Sequence, residues 1–404
     1  MQLVDLIKDA LQQYISELPD IAVPLAGVDR QARASLRQLV HKELSLWKAS
    51  RKCIVSDCQN EAIRHSHTLQ RAGPLTQIAE NNWVLTPTMD AFASRVKMSK
   101  ITTARASTFP GFCTHHEALF HNFEVNRRLE KDIDFVLQAY RATCRETVRL
   151  RIESRYVKEH QDVLARAFDR FLFSELAGRI RTRGIDTTPE AISDAFAKLD
   201  EHTHADAYDA LIDASVCDLQ ALEKSHLAML EQGIFSSAPF EFPVGSTRLP
   251  EQLPVCLSGL DCFNLQSGQI HRRVLLVLNV IPEHLVTYIV VSTSLENREF
   301  IGAYLDRLQG LLAGLNTIEA AMLHSTDHWF LRPSVWDMLP STRQKAVLAE
   351  IMSSNTNSWD WTSLSIFDEI RGRLLDEIEA AKPQADRTVN ERQVIDAERR
   401  KLQM

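Results

Sequence analysis

Two short cysteine and histidine pairs hold the residue types best able to do chemistry in this chain. Cys53-Ile-Val-Ser-Asp-Cys58 and Cys113-Thr-His-His116 each bring two soft or borderline ligands within one tight turn. Three thiolates and one imidazole make a tetrahedral set suited to Zn²⁺, so a structural zinc ion is the expected cofactor. His115 is an alternative to His116, and His65 or His67 could enter the set in place of either. Buried thiols without a metal are the plainer reading of the same cysteines.

Between the pairs the amphipathic periodicity is lost, and residues 51–112 are rich in Cys, Gly, Asn and Thr. Something other than an apolar stripe must order them, and a metal clamp would do so. The order of a knuckle, a loop expected to be β-rich and a second knuckle leading into a helix resembles a treble-clef zinc fold. Arg64-His65-Ser66-His67-Thr68 lies in that loop, followed by Asn81-Asn82, and Glu117 comes directly after the second knuckle.

On these residues, positions 53–124 resemble the HNH (ββα-metal) endonucleases that carry a structural zinc. The resemblance implies that His67 is the general base that activates water, with Ser66 standing where the family usually has a metal-binding Asp. It places Asn81 or Asn82 as the middle asparagine, and Glu117 where the last His or Asn is expected. Mg²⁺ or Mn²⁺ would then be a second cofactor, with Glu117 supplying the hard oxygen ligand such ions prefer. A second role for His67, as zinc ligand or hydrogen-bond support for the knuckle, stays open.

The elements expected to position this site are helical. Residues 3–18 and 29–48 read as amphipathic helices, the second with Leu36, Val40, Leu44 and Trp47 on one face. Arg30, Arg33, Arg37, Lys48, Arg51 and Lys52 are the candidate phosphate contacts if the region meets DNA or RNA. No proline interrupts residues 111–188, where apolar residues recur at helical spacing, predicting one very long helix or two to three stacked ones. Residues 273–280 and 286–292 are β-branched runs joined at Pro282-Glu283-His284, read as a small antiparallel sheet.

The expected fold is therefore mostly α with a small antiparallel sheet: an N-terminal treble-clef-like zinc module followed by long helices and an α+β C-terminal part. The divisions fall at residues 1–52, 53–125, 126–233, 234–385 and a charged tail at 386–404.

Charge supports a polyanion partner for the first half. The 404 residues carry a net charge of −7, but residues 1–185 hold 28 Lys+Arg against 21 Asp+Glu, whereas residues 186–404 hold 18 against 32. Seven cysteines are an odd number spread along the chain, which argues for a reducing, cytoplasmic setting. No apolar run approaches the roughly 18 residues a membrane span needs, and the first residues lack the pattern of a secretory signal.

Other signals are weaker. His324-Ser-Thr-Asp327-His328 spaces two imidazoles one helical turn apart, but no third ligand accompanies them. His202 and His204 read as surface residues, and Trp329, Trp336, Trp359 and Trp361 as core or a partner-protein groove. No phosphate-loop motif is present. Two functional classes follow: a nucleic-acid-binding protein with an HNH-like nuclease centre, or a non-catalytic zinc-stabilised scaffold that assembles with itself or with another protein through its helices.

Overall fold

The computed structural model describes residues 51–90, 95–159, 188, 191, 194, 218–236, 238–267, 270–351, 362–382 and 386–403. The expected helices over 3–18 and 29–48, residues 160–187 of the expected long helix, His202, His204, Trp359 and Trp361 lie outside these residues.

The first strand, β1, is Ser66–His67, and a single helical turn, α1 (Thr76–Ile78), leads to β2 (Trp83–Asp90) and β3 (Arg95–Thr102). β4 (Thr108–Phe109) precedes α2 (Thr114–Glu117), α3 (His121–Asn126) and the long helix α4 (Asp132–Glu159). After α5 (Ala228–Phe235) come β5 (Val244–Leu249), β6 (Val255–Ser267), β7 (Ile270–Glu283) and β8 (Val286–Ser292). The chain continues through α6 (Glu299–Asp306), α7 (Leu311–Ala320), β9 (Trp329–Leu331), α8 (Pro333–Met338), α9 (Ser341–Ile351), α10 (Asp368–Ala381) and α11 (Val389–Gln403).

The small sheet expected from the sequence is instead the centre of the molecule. Seven antiparallel strands run in the order β3-β2-β9-β6-β7-β8-β5, and β1 pairs with β4 in a separate two-stranded sheet. The expectation of a mostly helical protein with a small sheet is overturned. β2 and β3, from the cysteine-flanked segment, share this sheet with β5 to β9, so it crosses the division drawn at residues 233/234.

Burial on both faces explains why the sheet reads weakly in the sequence. Val274, Leu276, Leu278 and Val280 of β7 join one core, with Ile289 and Val291 of β8 and residues of α6 to α10. Leu275 and Val277 point the other way, packing with Ala142 and Leu150 of α4. Cys256, Ile281, Val290 and Phe330 line that same second face against Tyr140 and Cys144. A strand covered on both sides shows a continuous apolar run and not an alternating one. The turn between β7 and β8 is the two residues His284-Leu285, with Leu285 at φ 68°. In β6, Gly259 admits the close approach of Thr326, whose Oγ1 would lie 2.3 Å from an added Cβ.

In its described part the expected long helical stretch is several helices and not one. Arg127 adopts φ 59° and closes α3, and the Asp134 carboxylate accepts the backbone N–H groups of Glu130 and Lys131 at 3.0 and 2.9 Å to start α4. α4 then lies across β5, β6, β7 and β8. Among the described residues, no helix is long and apolar enough to cross a membrane.

Candidate metal centre

The first knuckle is a tight hairpin. Lys52 bridges Glu61, the Ala62 N–H reaches the Arg51 carbonyl at 2.7 Å, and the Cys53 N–H reaches the Asn60 carbonyl at 2.8 Å. Asp57 turns the chain at φ 62°. The second knuckle is stitched to the first: the carbonyls of Gly111 and Phe112 accept the N–H groups of Ile54 and Ile63 at 2.8 and 2.7 Å. Cys113 then stands at the N-cap of α2 and accepts the Glu117 N–H on its carbonyl at 2.9 Å.

These two turns bring Cys53, Cys58, Cys113 and His116 together, with their ligand atoms all within 4.8 Å of one another. A tetrahedral zinc ion with Zn–S of about 2.3 Å and Zn–N of about 2.05 Å would space sulfurs about 3.8 Å apart and sulfur from nitrogen about 3.5 Å. The Cys58 and Cys113 sulfurs are 3.9 Å apart, and His116 Nδ1 is 3.3 Å from the Cys53 sulfur and 3.5 Å from that of Cys113. The Cys3His group has the donors and the spacing to hold a metal ion. His116 supplies the imidazole; His65 and His115 are exposed, and His67 lies outside the set.

Electrostatics at the four ligands is uneven. Burial pushes the Cys53 thiol up to about 12, so its proton must be displaced when a metal binds. Burial also raises the Cys113 thiol, but the backbone N–H of His116 and the side chains of Cys53 and Cys58 outweigh it and hold Cys113 below its ordinary value. Burial and His115 lower His116, keeping its ring nitrogen free as a ligand.

A carboxylate that the sequence did not point to supports the site from 118 residues beyond Cys113. Glu231 of α5, itself buried, accepts the Ser56 N–H at 3.3 Å, the Ser56 hydroxyl and the Tyr140 hydroxyl at 2.9 Å. It thereby ties the first knuckle to α4. Phe235, at the end of the same helix, stands edge-on to His116 with ring centroids 5.9 Å apart. No motif marks Glu231 in the sequence, because its partners, Ser56 and Tyr140, come from two distant segments.

His67 lies on β1, opposite Thr108 of β4. The backbone of Thr103 hydrogen-bonds its imidazole, while its Nε2 is buried with no hydrogen-bond partner. Burial, then the charges of Arg141 and Arg71, bring its pKa down to about 4 against the opposing pull of Glu124. The ring is neutral at physiological pH, with one nitrogen held by the backbone and a lone pair unused.

Glu117 pairs with a cation of the chain itself. Its Oε1 accepts Arg141 Nη2 at 2.5 Å, and the same nitrogen reaches Glu124 Oε1 at 2.7 Å. Among the described residues, His67 and Glu117 belong to no group with metal-holding spacing. Ser66 is fully buried. Asn81 and Asn82 form an exposed turn at φ 52° and 65°, and the Asn82 carbonyl accepts the Thr103 N–H at 3.0 Å, so their link to His67 runs through backbone.

Of the six basic residues singled out, Arg30, Arg33, Arg37 and Lys48 lie outside the described residues. Arg51 is half-buried in the knuckle, and Lys52 is exposed with its amine on Gln59. The His324 and His328 pair does not converge: His324 meets Glu350 at 2.8 Å and His328 the Ser258 carbonyl at 2.7 Å. Comparison of the chain with protein-family models, with curated proteins and with solved structures finds no match.

Proposed function

We propose that the chain is a zinc-containing, nucleic-acid-binding protein whose HNH-like module hydrolyses phosphodiester bonds with His67 as general base. The observation that carries this reading is the state of His67: neutral, held on one side by the Thr103 backbone, and presenting a buried, unpartnered Nε2. An imidazole in that state can take a proton from water as the oxygen attacks phosphorus. The bond to the leaving oxygen then breaks, and the imidazolium returns the proton to it.

The pairing of β1 with β4, followed by the helix opening at Cys113, supports the resemblance to the ββα-metal endonucleases. The soft donor set favours zinc as the ion in the Cys3His group. Exposed Arg64, Arg71 and Arg105 flank β1 and β4 in sequence and suit a phosphate backbone, DNA or RNA. The second reading is a non-catalytic scaffold in which zinc fastens the module to α4 and α5. The links through Glu231 and Arg141 favour it.

Cleavage of plasmid DNA and of RNA, with and without Mg²⁺ or Mn²⁺, tests the first reading. Loss of a general base costs about 100-fold or more in rate, so His67→Ala should fall at least that far below wild type. Equal background in both proteins sinks the nuclease reading and leaves the scaffold. Elemental analysis should find one zinc per chain, absent from Cys53→Ser.

A further inference from the structure

Two carboxylates beside His67 converge on one positive charge. Glu117 ends α2, Glu124 lies in α3, and Arg141 Nη2 meets both, at 2.5 and 2.7 Å. The Arg141 side chain is 0% exposed, and its guanidinium carbon lies 4.3 Å from the centre of the Phe120 ring. The residue is set in the middle of α4, which packs on the central sheet, so its backbone is fixed independently of the metal module. Arg141 Nε and Nη1, Glu117 Oε2 and His67 Nε2 are all buried without a partner. The centre is polar, enclosed and incompletely paired.

We propose that Arg141 is the built-in cation of the His67 centre, filling the place between Glu117 and Glu124 that a divalent ion would need. The inference rests on the reading of His67 as the base of a phosphodiester-cleaving module. Mg²⁺ and Mn²⁺ take carboxylate oxygens at about 2.1 Å in near-octahedral shells. An ion so bound to Glu117 and Glu124 would sit against the guanidinium that already holds the same oxygens. The two cations exclude each other, by volume and by like charge. Guanidinium suits the role: it stays charged at every accessible pH, and its planar donors match carboxylate and phosphate oxygens. Ser66, which offers no carboxylate, fits a centre that recruits no second metal.

The test uses the zinc-loaded full chain and Mn²⁺ as probe, followed by electron paramagnetic resonance. Wild type should retain no Mn²⁺ that Glu117→Gln removes, and Arg141→Met should gain one Mn²⁺ per chain by freeing both carboxylates. Cleavage by wild type should be the same with and without added Mg²⁺ or Mn²⁺. A wild-type Mn²⁺ site abolished by Glu117→Gln, or cleavage that drops tenfold or more when divalent ions are omitted, overturns the proposal. Should Arg141→Met fail to fold, the wild-type and Glu117→Gln titrations decide alone. Absence of cleavage under every condition removes the phosphodiesterase reading, while the Mn²⁺ titration still decides which cation occupies the centre.

Discussion

Acidification is expected to unfold this protein through its histidines. Burial lowers His226 and His328 to about 3 and His67 to about 4, all from an ordinary value of 6.5. His226 Nε2 meets the Ser292 hydroxyl at 3.1 Å, and His328 Nδ1 the Ser258 carbonyl at 2.7 Å, so two of the three are bonded to strands of the sheet. A base with a depressed folded pKa is protonated more readily when unfolded. Its contribution is therefore complete above pH 6.5 and is lost as pH falls toward the folded pKa. Near pH 5 each such histidine gives a slope of about 1.4 kcal/mol per pH unit, and three together give about 4. Over two units that is about 8 kcal/mol, as large as the whole stability of many domains. Proton competition for zinc adds to the slope, but it is common to wild type and to variants away from the metal, and it cancels in their difference. Urea unfolding at fixed free Zn²⁺ from pH 4.5 to 5.5 should show His226→Asn and His328→Asn each flatter than wild type by about 1.3 kcal/mol per pH unit. Variant slopes equal to that of wild type would refute the claim that these rings are kept neutral by burial.

Two further outcomes test the supports of the fold. Glu231→Ala strips the acceptor from the buried Tyr140 hydroxyl and from Ser56, and it should cost about 3 kcal/mol in urea unfolding. The same variant should release zinc about 10- to 100-fold faster to a chromogenic chelator. Arg371 is fully buried between Glu319 and Glu398, so Arg371→Met should lose about 3 to 5 kcal/mol in urea unfolding.

The metal centre was legible because its ligands belong to rare residue types in tight pairs, and pairs survive any length of intervening chain. What lies between them was not. Residues 68–107 leave β1, form the β2–β3 hairpin at the edge of the central sheet and return to β4. Pro87 disguised β2. It is tolerated because β9 reaches β2 only at Leu85, so the N–H that proline lacks is not needed for pairing on that side. Ser258, Gly259 and Asp261 disguised β6 by placing polar residues and a glycine inside an apolar run. Asp261 is satisfied there, accepting the Tyr304 and Ser325 hydroxyls at 3.0 and 2.9 Å. Arg141 escaped notice for the opposite reason. A charged residue at helical spacing reads as a solvated face, and only the folded chain shows Glu117, Glu124 and Phe120 closing over it.

That route of the chain would give a metal held by the Cys3His group a reach beyond its four ligands. Cys53 and Cys58 precede the excursion from β1 and Cys113 and His116 follow its return, so one ion held by the four would fasten both ends of a segment that supplies the edge of the seven-stranded sheet. The Thr68 carbonyl, at the root of the excursion, accepts Gln138 of α4 at 3.0 Å, and the same amide donates to Asn279 of β7 at 3.0 Å. Knuckles, long helix and central strand are thereby joined through hydrogen bonds that are all buried. Fixing both ends of an excursion of this length removes loop-closure entropy from the unfolded chain, an effect a bound metal would exert without touching the sheet. The same geometry keeps His67 in place: its strand is the first to leave the clamp, its partner strand is the last to return, and Thr103, which holds its ring, lies just beyond the end of β3. Any chemistry at His67 is therefore set by the cysteine knuckles and a sheet edge acting together.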